Sequence, residues 1–312
     1  MAATPRRRSL DRAGSPAVLT ALLLACFAAS GCAAARRAAA PHPPAAPGTP
    51  EPAALEAIAA RRREAFRGLR ATGKLQITVE AARGDDVQRR RLSASQAMLV
   101  RAPDCFRLEA LTPFGVGYAV ATDGTGIAAL APSERMLWRG EADVRTVAAA
   151  TGVVATPSEV VALLLGVAPV PPLDLVHAWV SRTADAAGEP DDPEPEVLLH
   201  ASVRDRPDDL VVVGFAHPAA AAGEAVPVLY ERSTIAGDLI LRARFGAFAP
   251  SPAGAFATRV EITARASEAV LRYSTFEVNP PLESPPFSIP TPAGVRELRF
   301  LDEASPSGGT PP

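Results

Sequence analysis

The chain has 312 residues, of which 48% are hydrophobic and only 5% aromatic, so it can bury one large core or two small ones. Its formal net charge is −2, and the part after residue 31 carries 28 basic and 33 acidic residues, a net charge of −5. A mildly acidic chain lacks the basic surface that binds phosphate backbones, which excludes nucleic acid as the expected partner.

The first 31 residues have the three parts of an export signal. A basic opening between Arg6 and Arg12 precedes an apolar stretch from Ala17 to Ala29, and small residues then lead to Cys32. The apolar stretch is shorter than the roughly 20 residues that cross a bilayer. We therefore expect residues 1–31 to be a signal peptide that is removed on export.

The motif ASGC (29–32) resembles the lipobox of bacterial lipoproteins. The resemblance implies cleavage before Cys32, acylation of this cysteine with fatty acids such as palmitate, and attachment to a membrane through the lipid. Cys26, in LLAC (23–26), is the rival acylation site, and cleavage without acylation is a third interpretation. Ala33 stands where an aspartate would retain a lipoprotein in the inner membrane, so the resemblance implies the periplasmic face of the outer membrane of a Gram-negative bacterium.

Residues 32–53 join this cysteine to an alanine- and proline-rich segment without apolar periodicity. Proline stiffens such a segment and nothing in it can build a core, so we expect a tether. A folded domain is expected over residues 54–302, followed by a disordered tail at 303–312.

A helix and then a series of strands are predicted next. Five apolar residues recur at near-helical spacing and predict one helix: Leu55, Ile58, Ala59, Phe66 and Leu69. From Ala71 apolar and polar residues alternate, which predicts a strand with one dry face. The same alternation returns at 106–110, 197–203, 239–245 and 260–264, between turn residues. A long antiparallel meander with a single apolar face must curl around something.

Two short helices are predicted within this series, at 141–150 and 157–166. Thr156-Pro157 is a suitable start for the second and Gly166 a suitable end. This second helix is apolar on more than one side, which favours a position inside the curve of the sheet. The segment 173–182 fits a strand and a helix equally.

The order of these elements resembles the LolA/LolB-like periplasmic lipoprotein carriers, including DUF4292-type lipoproteins, over residues 52–300. Four stretches carry the resemblance: ATGKLQITVE (71–80), DCFRLEALTPFGVGYAVATDG (104–124), PSEVVALLLG (157–166) and FEVNPPLESPPFSIPTPAGVREL (276–298). It implies a mainly β fold, an incomplete antiparallel β-barrel with helical cover over an apolar concavity that holds acyl chains. The cavity residues expected from this layout are Leu75, Ile77, Phe106, Leu108, Val160, Leu164, Leu165, Leu241, Val260 and Ile262.

The implied function is that of a LolB-type lipoprotein that binds acyl chains of lipoproteins or lipids, receiving cargo from a soluble LolA-like carrier. In LolB-like proteins a Pro-apolar-Gly loop projects an apolar residue that assists delivery into the membrane, and Phe114 occupies that position here. Phe114 can also fold back as a core plug, and both interpretations stay open. The alternative function is a structural lipoprotein of an envelope complex whose cavity is filled by its own side chains.

No catalytic or cofactor-binding motif such as GxSxG, HExxH or CxxC occurs, so we expect neither an enzyme nor a metal or cofactor site. His42 lies in the predicted tether and His200 on the polar face of a predicted strand. His177 and His217 have no cysteine or acidic neighbour at metal-ligand spacing. Cys105 is expected to be a small buried residue. The acidic loop around 191–196 is expected to be a solvated linker, with a weak calcium site as the alternative.

Overall fold

Strands dominate the fold, as the recurring alternation of apolar and polar residues requires. The computed structural model describes residues 49–83, 86–183, 193–216, 225–264, 267–281 and 287–300, with the backbone alone at 79–83 and 86–90. Within these residues, 14 strands form one sheet and three α-helices pack against it. Strands and helices have the following bounds. The helices are α1 (Pro52–Ala65), α2 (Val144–Thr151) and α3 (Pro157–Leu164). The strands are β1 (Gly68–Arg83), β2 (Asp86–Arg101), β3 (Cys105–Thr112), β4 (Gly115–Asp123), β5 (Gly126–Ala131), β6 (Met136–Glu141), β7 (Leu173–Arg182), β8 (Val197–Val203), β9 (Arg206–Ala216), β10 (Val226–Thr234), β11 (Leu239–Ser251), β12 (Gly254–Ala264), β13 (Ser267–Val278) and β14 (Arg296–Arg299).

The sheet consists of two meanders that meet at its centre. Strands β1 to β6 pair in sequence, strands β7 to β13 pair in sequence, and β1 joins the two by pairing with β13. β14 and β7 are the two ends of the sheet and do not pair with each other, so it remains open. The predicted incomplete antiparallel barrel with helical cover is thereby confirmed. β14 is an exception to the antiparallel prediction, because it runs parallel to β6.

The main core lies on the face of the sheet that carries the helices. On β12, Val260, Ile262 and Ala264 are buried on this face. The residues between them, Glu261 and Thr263, are only half-buried. α1 buries Leu55 and Ala59 and contacts β7 and β10. α3 contacts β2 and β3. The helices thus cover different parts of the same face, as the amphipathic pattern predicts.

The local signals for helix ends agree with the structure in most places. Thr156 and Glu159 form a reciprocal capping box at the start of α3, and Gly166 has a φ of +66° just beyond its end. The first helix ends earlier than predicted: Phe66 caps α1 and Leu69 belongs to β1. Leu69 fits the helical spacing of the apolar residues in α1 by chance. It is apolar because it lies on the buried face of β1. The segment left open, 173–182, is the strand β7.

Part of the outer face of the sheet is buried. The prediction that only one face of the sheet is apolar is therefore wrong. A second cluster on β4, β5 and β6 buries Ala119, Ala121 and Ala128 against Ile289 of the C-terminal segment. Arg139 donates to the Ile289 carbonyl oxygen at 2.7 Å and so fastens this segment to β6. These strands carry small residues on both faces, so their sequences show no clear alternation of apolar and polar residues. The sequence therefore carries no sign that the C-terminal segment covers this face.

Residues 45–312 form a compact unit. The main core of described residues runs from Leu55 to Tyr273, so this unit contains a hydrophobic core of its own. It can therefore be tested as a folded protein without the preceding residues.

Candidate functional site

An open cavity of about 520 Å³ lies between α2, α3 and six strands around the middle of the sheet. This volume is within the roughly 300–1,000 Å³ of small-molecule sites. The walls come from the following residues: Leu75, Ile77, Leu92, Ser93, Ala94, Phe106, Leu108, Ala110, Thr112, Gly117, Tyr118, Val120, Ala150, Thr151, Val153, Val160, Leu163, Leu164, Ile262, Ala269 and Leu271. Nearly all of these side chains are apolar.

The structure brings together seven of the ten residues predicted to line a cavity: Leu75, Ile77, Phe106, Leu108, Val160, Leu164 and Ile262. Leu165, Leu241 and Val260 do not line it. Each of these three is at most 2% exposed and packs in the main core. They share the apolar face with the cavity residues, but they lie where that face is already filled by neighbouring side chains.

Small residues keep the cavity open. Alanines stand at positions 94 and 110 of adjacent strands, at 150 at the end of α2, and at 269 on β13, with Gly117 on β4. A close-packed interior would need larger side chains at such sites. The two eight-residue helices α2 and α3 lie over these small residues and form the roof of the cavity.

The polar groups on the cavity wall are mostly engaged with backbone. The Tyr118 hydroxyl donates to the Ala150 carbonyl oxygen at 2.7 Å, and burial raises the pKa of Tyr118 to about 12. The Thr151 hydroxyl donates to the Val147 carbonyl oxygen, also at 2.7 Å. A tyrosine with this pKa is neutral at physiological pH, so it adds no charge to the wall. The cavity is suited to an apolar guest.

A buried ion pair fixes the roof of the cavity. Glu159 in the first turn of α3 and Arg232 on β10 approach to 2.5 Å, with side chains 8% and 3% exposed. Arg232 also donates to the Val154 carbonyl oxygen at 3.0 Å, which ties down the connection between α2 and α3. The second carboxylate oxygen of Glu159 accepts the Thr156 N–H at 2.7 Å. Val160, which follows Glu159, is thereby held over the cavity.

Phe114 lies at the tip of the β3–β4 turn and is 99% exposed. The Thr112 hydroxyl accepts the Phe114 N–H at 3.2 Å and donates to the Gly115 carbonyl oxygen at 3.0 Å, which orders the turn. Gly115 has a φ of +116°, a conformation that favours glycine. Thr112 and Gly117 flank the turn and both line the cavity. Phe114 therefore projects from the turn beside the cavity and does not fold back into the core.

Several cavity residues were missed by reasoning from sequence. Ala269 and Leu271 stand between the polar Glu268 and Arg272, but Val270 between them is apolar as well, so β13 carries no clear period-two pattern at this point. Tyr118 carries no such signal, because the residues on both sides of it in β4 are also small or apolar.

The remaining sequence candidates lie apart from the cavity. Cys105 is 5% exposed, and burial raises the pKa of its thiol, which disfavours the reactive thiolate. His177 is exposed and pairs with Asp174, three residues before it, at 2.8 Å, so the prediction that His177 has no acidic neighbour is wrong. His200 stacks on Trp179 with ring centroids 4.6 Å apart. Glu194 of the acidic loop pairs with Arg244.

Other predictions fall outside the described residues: the acylated Cys32, its rival Cys26, and the histidines His42 and His217. In the part of the chain that is described, no three His, Cys, Asp or Glu residues are placed to hold a metal ion. Among the same residues, no helix is long and apolar enough to cross a membrane.

No protein-family model and no curated protein sequence matches the chain. Solved structures are similar to the chain at low sequence identity and with TM-scores below 0.5. A LolA superfamily protein from Nitrosomonas europaea has 14% identity and a TM-score of 0.43, over 72% of this chain and 93% of that chain. The outer membrane lipoprotein-sorting domain from Vibrio parahaemolyticus has 12% identity and a TM-score of 0.43, over 74% of this chain and 94% of the domain.

A DUF1329 family protein from Desulfovibrio piger has 10% identity and a TM-score of 0.42, over 77% of this chain and 98% of that protein. None of these three is described as a LolB or DUF4292-type protein, so those finer assignments stay predictions. At such identities and TM-scores the likenesses identify no family for the chain. The functional interpretation depends on the cavity.

Proposed function

We propose that this protein binds the acyl chains of lipoproteins or lipids in its half-barrel cavity, as a lipid-anchored protein of the bacterial envelope. The observation that carries the proposal is the open cavity of about 520 Å³ with an almost wholly apolar lining. Its role is binding and transfer, without catalysis. The proposed location is the outer membrane, through acylated Cys32, with a soluble LolA-like carrier as the partner that delivers cargo.

The physical reason is the cost of apolar surface in water. Each methylene that leaves water contributes about 0.8 kcal/mol, so ten methylenes buried in the cavity contribute about 8 kcal/mol. The same burial covers the apolar walls, among them Leu92, which is 56% exposed to solvent. Binding is therefore favoured by the apolar surface that guest and cavity wall bury together and by the fit of the chain to the cavity. The guest needs no charged contact.

A cavity-filling substitution tests the proposal. Ala94 lines the cavity, while Ala97 on the same strand points to the opposite face and is only half-buried. In residues 45–312 purified without detergent, we expect native mass spectrometry to detect retained acyl lipid, and titration with 1-monopalmitoylglycerol to show saturable binding. Ala94→Trp should weaken that binding at least about tenfold, because the indole occupies the guest's volume.

Ala97→Trp is the matched control and should bind like the unmodified protein. If the unmodified protein retains and binds no lipid, the cavity has no lipid function and the structural role becomes the better explanation. Equal binding by both tryptophan variants would place the lipid elsewhere on the protein and contradict the proposal.

A further inference from the structure

The strand β3 lines the cavity along its whole inner face, the face that carries the helices. Four residues spaced two apart form this part of the wall: Phe106, Leu108, Ala110 and Thr112. Thr112 is exposed and Phe106 is only 1% exposed, while the two residues between them are half-buried. Access of solvent therefore decreases from the Phe114 turn toward the start of β3.

The neighbouring strands show the same direction of burial. Ile77 and Ala269, paired across β1 and β13, are half-buried, whereas the next pair, Leu75 and Leu271, is 7% and 2% exposed. Leu92 on β2 pairs with Ile77 and is 56% exposed. Because β2 runs antiparallel to β3, this exposed part of β2 lies toward the β3–β4 turn. The cavity thus opens at the end of the sheet that carries this turn, and it is closed at the other end.

Phe106 forms the floor of the cavity, its closed end. It pairs with Val100 on β2 and with Thr122 on β4, and both of these are 0% exposed and do not line the cavity. The open space along these strands therefore ends at this row of side chains. Phe106 is also the largest apolar residue of the wall. A chain that enters from the mouth meets this ring at the end of its path.

The length of the wall can be derived from the strand geometry. Thr112 lies six residues beyond Phe106, and a strand rises about 3.3 Å per residue, so the two are roughly 20 Å apart. An extended hydrocarbon chain advances about 1.3 Å per carbon, because its bonds of about 1.5 Å form a zigzag. The wall of β3 therefore matches a chain of roughly 15 carbons.

From this geometry we propose that Phe106 limits the length of the acyl chain that the cavity accepts. The inference rests on the proposed lipid-binding function and narrows the guest to chains of about the length of palmitate, which enter with the methyl end first. The polar end of the guest stays at the mouth, where the wall residues Ser93 and Thr112 are exposed to solvent. Methylenes beyond the limit remain in water and add no affinity.

A homologous series of ligands tests the inference. Dissociation constants of residues 45–312 for 1-monoacylglycerols, from the octanoyl to the arachidoyl ester, can be measured by displacement of bound N-phenyl-1-naphthylamine. We expect the affinity to increase about fourfold with each added methylene, which is the effect of burying one methylene group. The increase should level off near the palmitoyl ester.

Two substitutions should move this levelling point in opposite directions. Phe106→Leu lowers the floor, so the levelling point should move to a longer chain, and the arachidoyl ester should bind about tenfold more tightly than to the unmodified protein. Leu108→Phe places a ring one inner-face position nearer the mouth, so the levelling point should move to a shorter chain. The second variant adds a side chain to open space and removes none of the core.

Phe215→Leu is the matched control. Phe215 on β9 is 0% exposed, packs in the main core and does not line the cavity. This variant loses the same atoms as Phe106→Leu and should lower the unfolding temperature to a similar extent, yet it should keep the levelling point of the unmodified protein. An equal shift in both variants would attribute the limit to general loosening of the core and contradict the inference.

The other failures are distinguishable. If the unmodified protein binds none of the esters, the lipid-binding function fails and the inference with it. If its affinity keeps rising through the arachidoyl ester, the cavity function stands and Phe106 sets no limit. A levelling point that neither Phe106→Leu nor Leu108→Phe moves would assign the limit to another part of the wall and also overturn the inference.

Discussion

Phe114 is a large apolar side chain whose exposure is not explained by packing. It is 99% exposed, whereas most large apolar residues of the described domain are buried. Replacing the exposed Phe114 ring would remove no packing contacts from the core. The turn is ordered by hydrogen bonds of Thr112 and not by contacts of the ring. A projecting aromatic ring beside an apolar cavity is suited to contact with a lipid surface.

Phe114→Glu should leave folding intact and impair the transfer of acyl lipid from the cavity to vesicles of phosphatidylethanolamine and phosphatidylglycerol. The carboxylate cannot enter the apolar layer of the membrane that the ring can enter. We expect an unchanged unfolding temperature and a transfer rate reduced about tenfold or more, the range typical of losing one anchoring contact.

The control is Val176→Glu, which removes a second exposed apolar side chain, 86% exposed on the edge strand β7. This variant should transfer lipid at the unmodified rate. Unimpaired transfer by Phe114→Glu, or an equal loss in both variants, would show that the projecting ring has no specific role.

At the scale of single residues, sequence patterns predicted the face of a side chain better than its depth. Leu164 and Leu165 are neighbours in one apolar run, yet only Leu164 borders the cavity. Gln96 could have been noticed as the polar member of the otherwise apolar series Ala94, Met98 and Val100. That its amide has no hydrogen-bond partner among the described residues could not have been predicted, because pairing depends on strands and helices distant in sequence.

The helix α3 illustrates how an element is held in place by one buried contact. Its sequence specifies where it begins, through the capping box of Thr156 and Glu159. Its position over the sheet depends on Arg232, which lies 73 residues away from Glu159 along the chain. A buried carboxylate without its cation is costly, so this pair specifies where the roof of the cavity lies.

Arg232→Met should lower the free energy of unfolding by about 3–5 kcal/mol, because it leaves the Glu159 carboxylate buried, with the partly exposed Arg206, 3.8 Å away, as its remaining cation among the described residues. Denaturant unfolding measures the change. Arg70→Met is the control, since Arg70 and Glu277 form an exposed pair with side chains 54% and 52% exposed. That variant should lose about 1 kcal/mol or less.

The double variant Glu159→Met with Arg232→Met should be less destabilised than Arg232→Met alone, because no charge is then left buried. Equal losses in Arg232→Met and Arg70→Met would mean that the buried pair does not hold α3.

On the scale of the whole molecule, the proposed function combines a cavity with an anchor. Residues 32–51 separate Cys32 from α1 and can reach at most about 70 Å when fully extended. A tether of this reach would let the cavity and the Phe114 turn meet the same membrane that holds the anchor. The two parts are encoded independently, one in the first residues and one in the folded domain.

Cys32→Ala should release the protein from the membrane fraction into the periplasm, because the acylated residue is lost. Fractionation of cells followed by detection of the protein measures the result. Cys26→Ala is the control and should leave the protein membrane-bound. If Cys32→Ala remains with the membrane while Cys26→Ala is released, the rival site is the acylated one; if both remain, the lipid anchor is wrong.

Local chemistry was sufficient to predict much of this protein. Alternation specified strands such as β8 and β12, and the Thr156-Pro157 start and Gly166 end specified α3, because capping, turns and amphipathicity act between residues close in sequence. The mainly β class and the helical cover followed from the order of these signals.

Only the tertiary structure decided which apolar residues surround a cavity and which fill a core. The pairing of Leu75 with Leu271, residues far apart in sequence, joins the two meanders and creates the wall that both then share. Cover of the outer face by the C-terminal segment is likewise a long-range contact. How deeply a residue is buried, and whether it borders an open cavity, depends on all of these long-range contacts together. The periodicity of a short sequence segment carries no information about them.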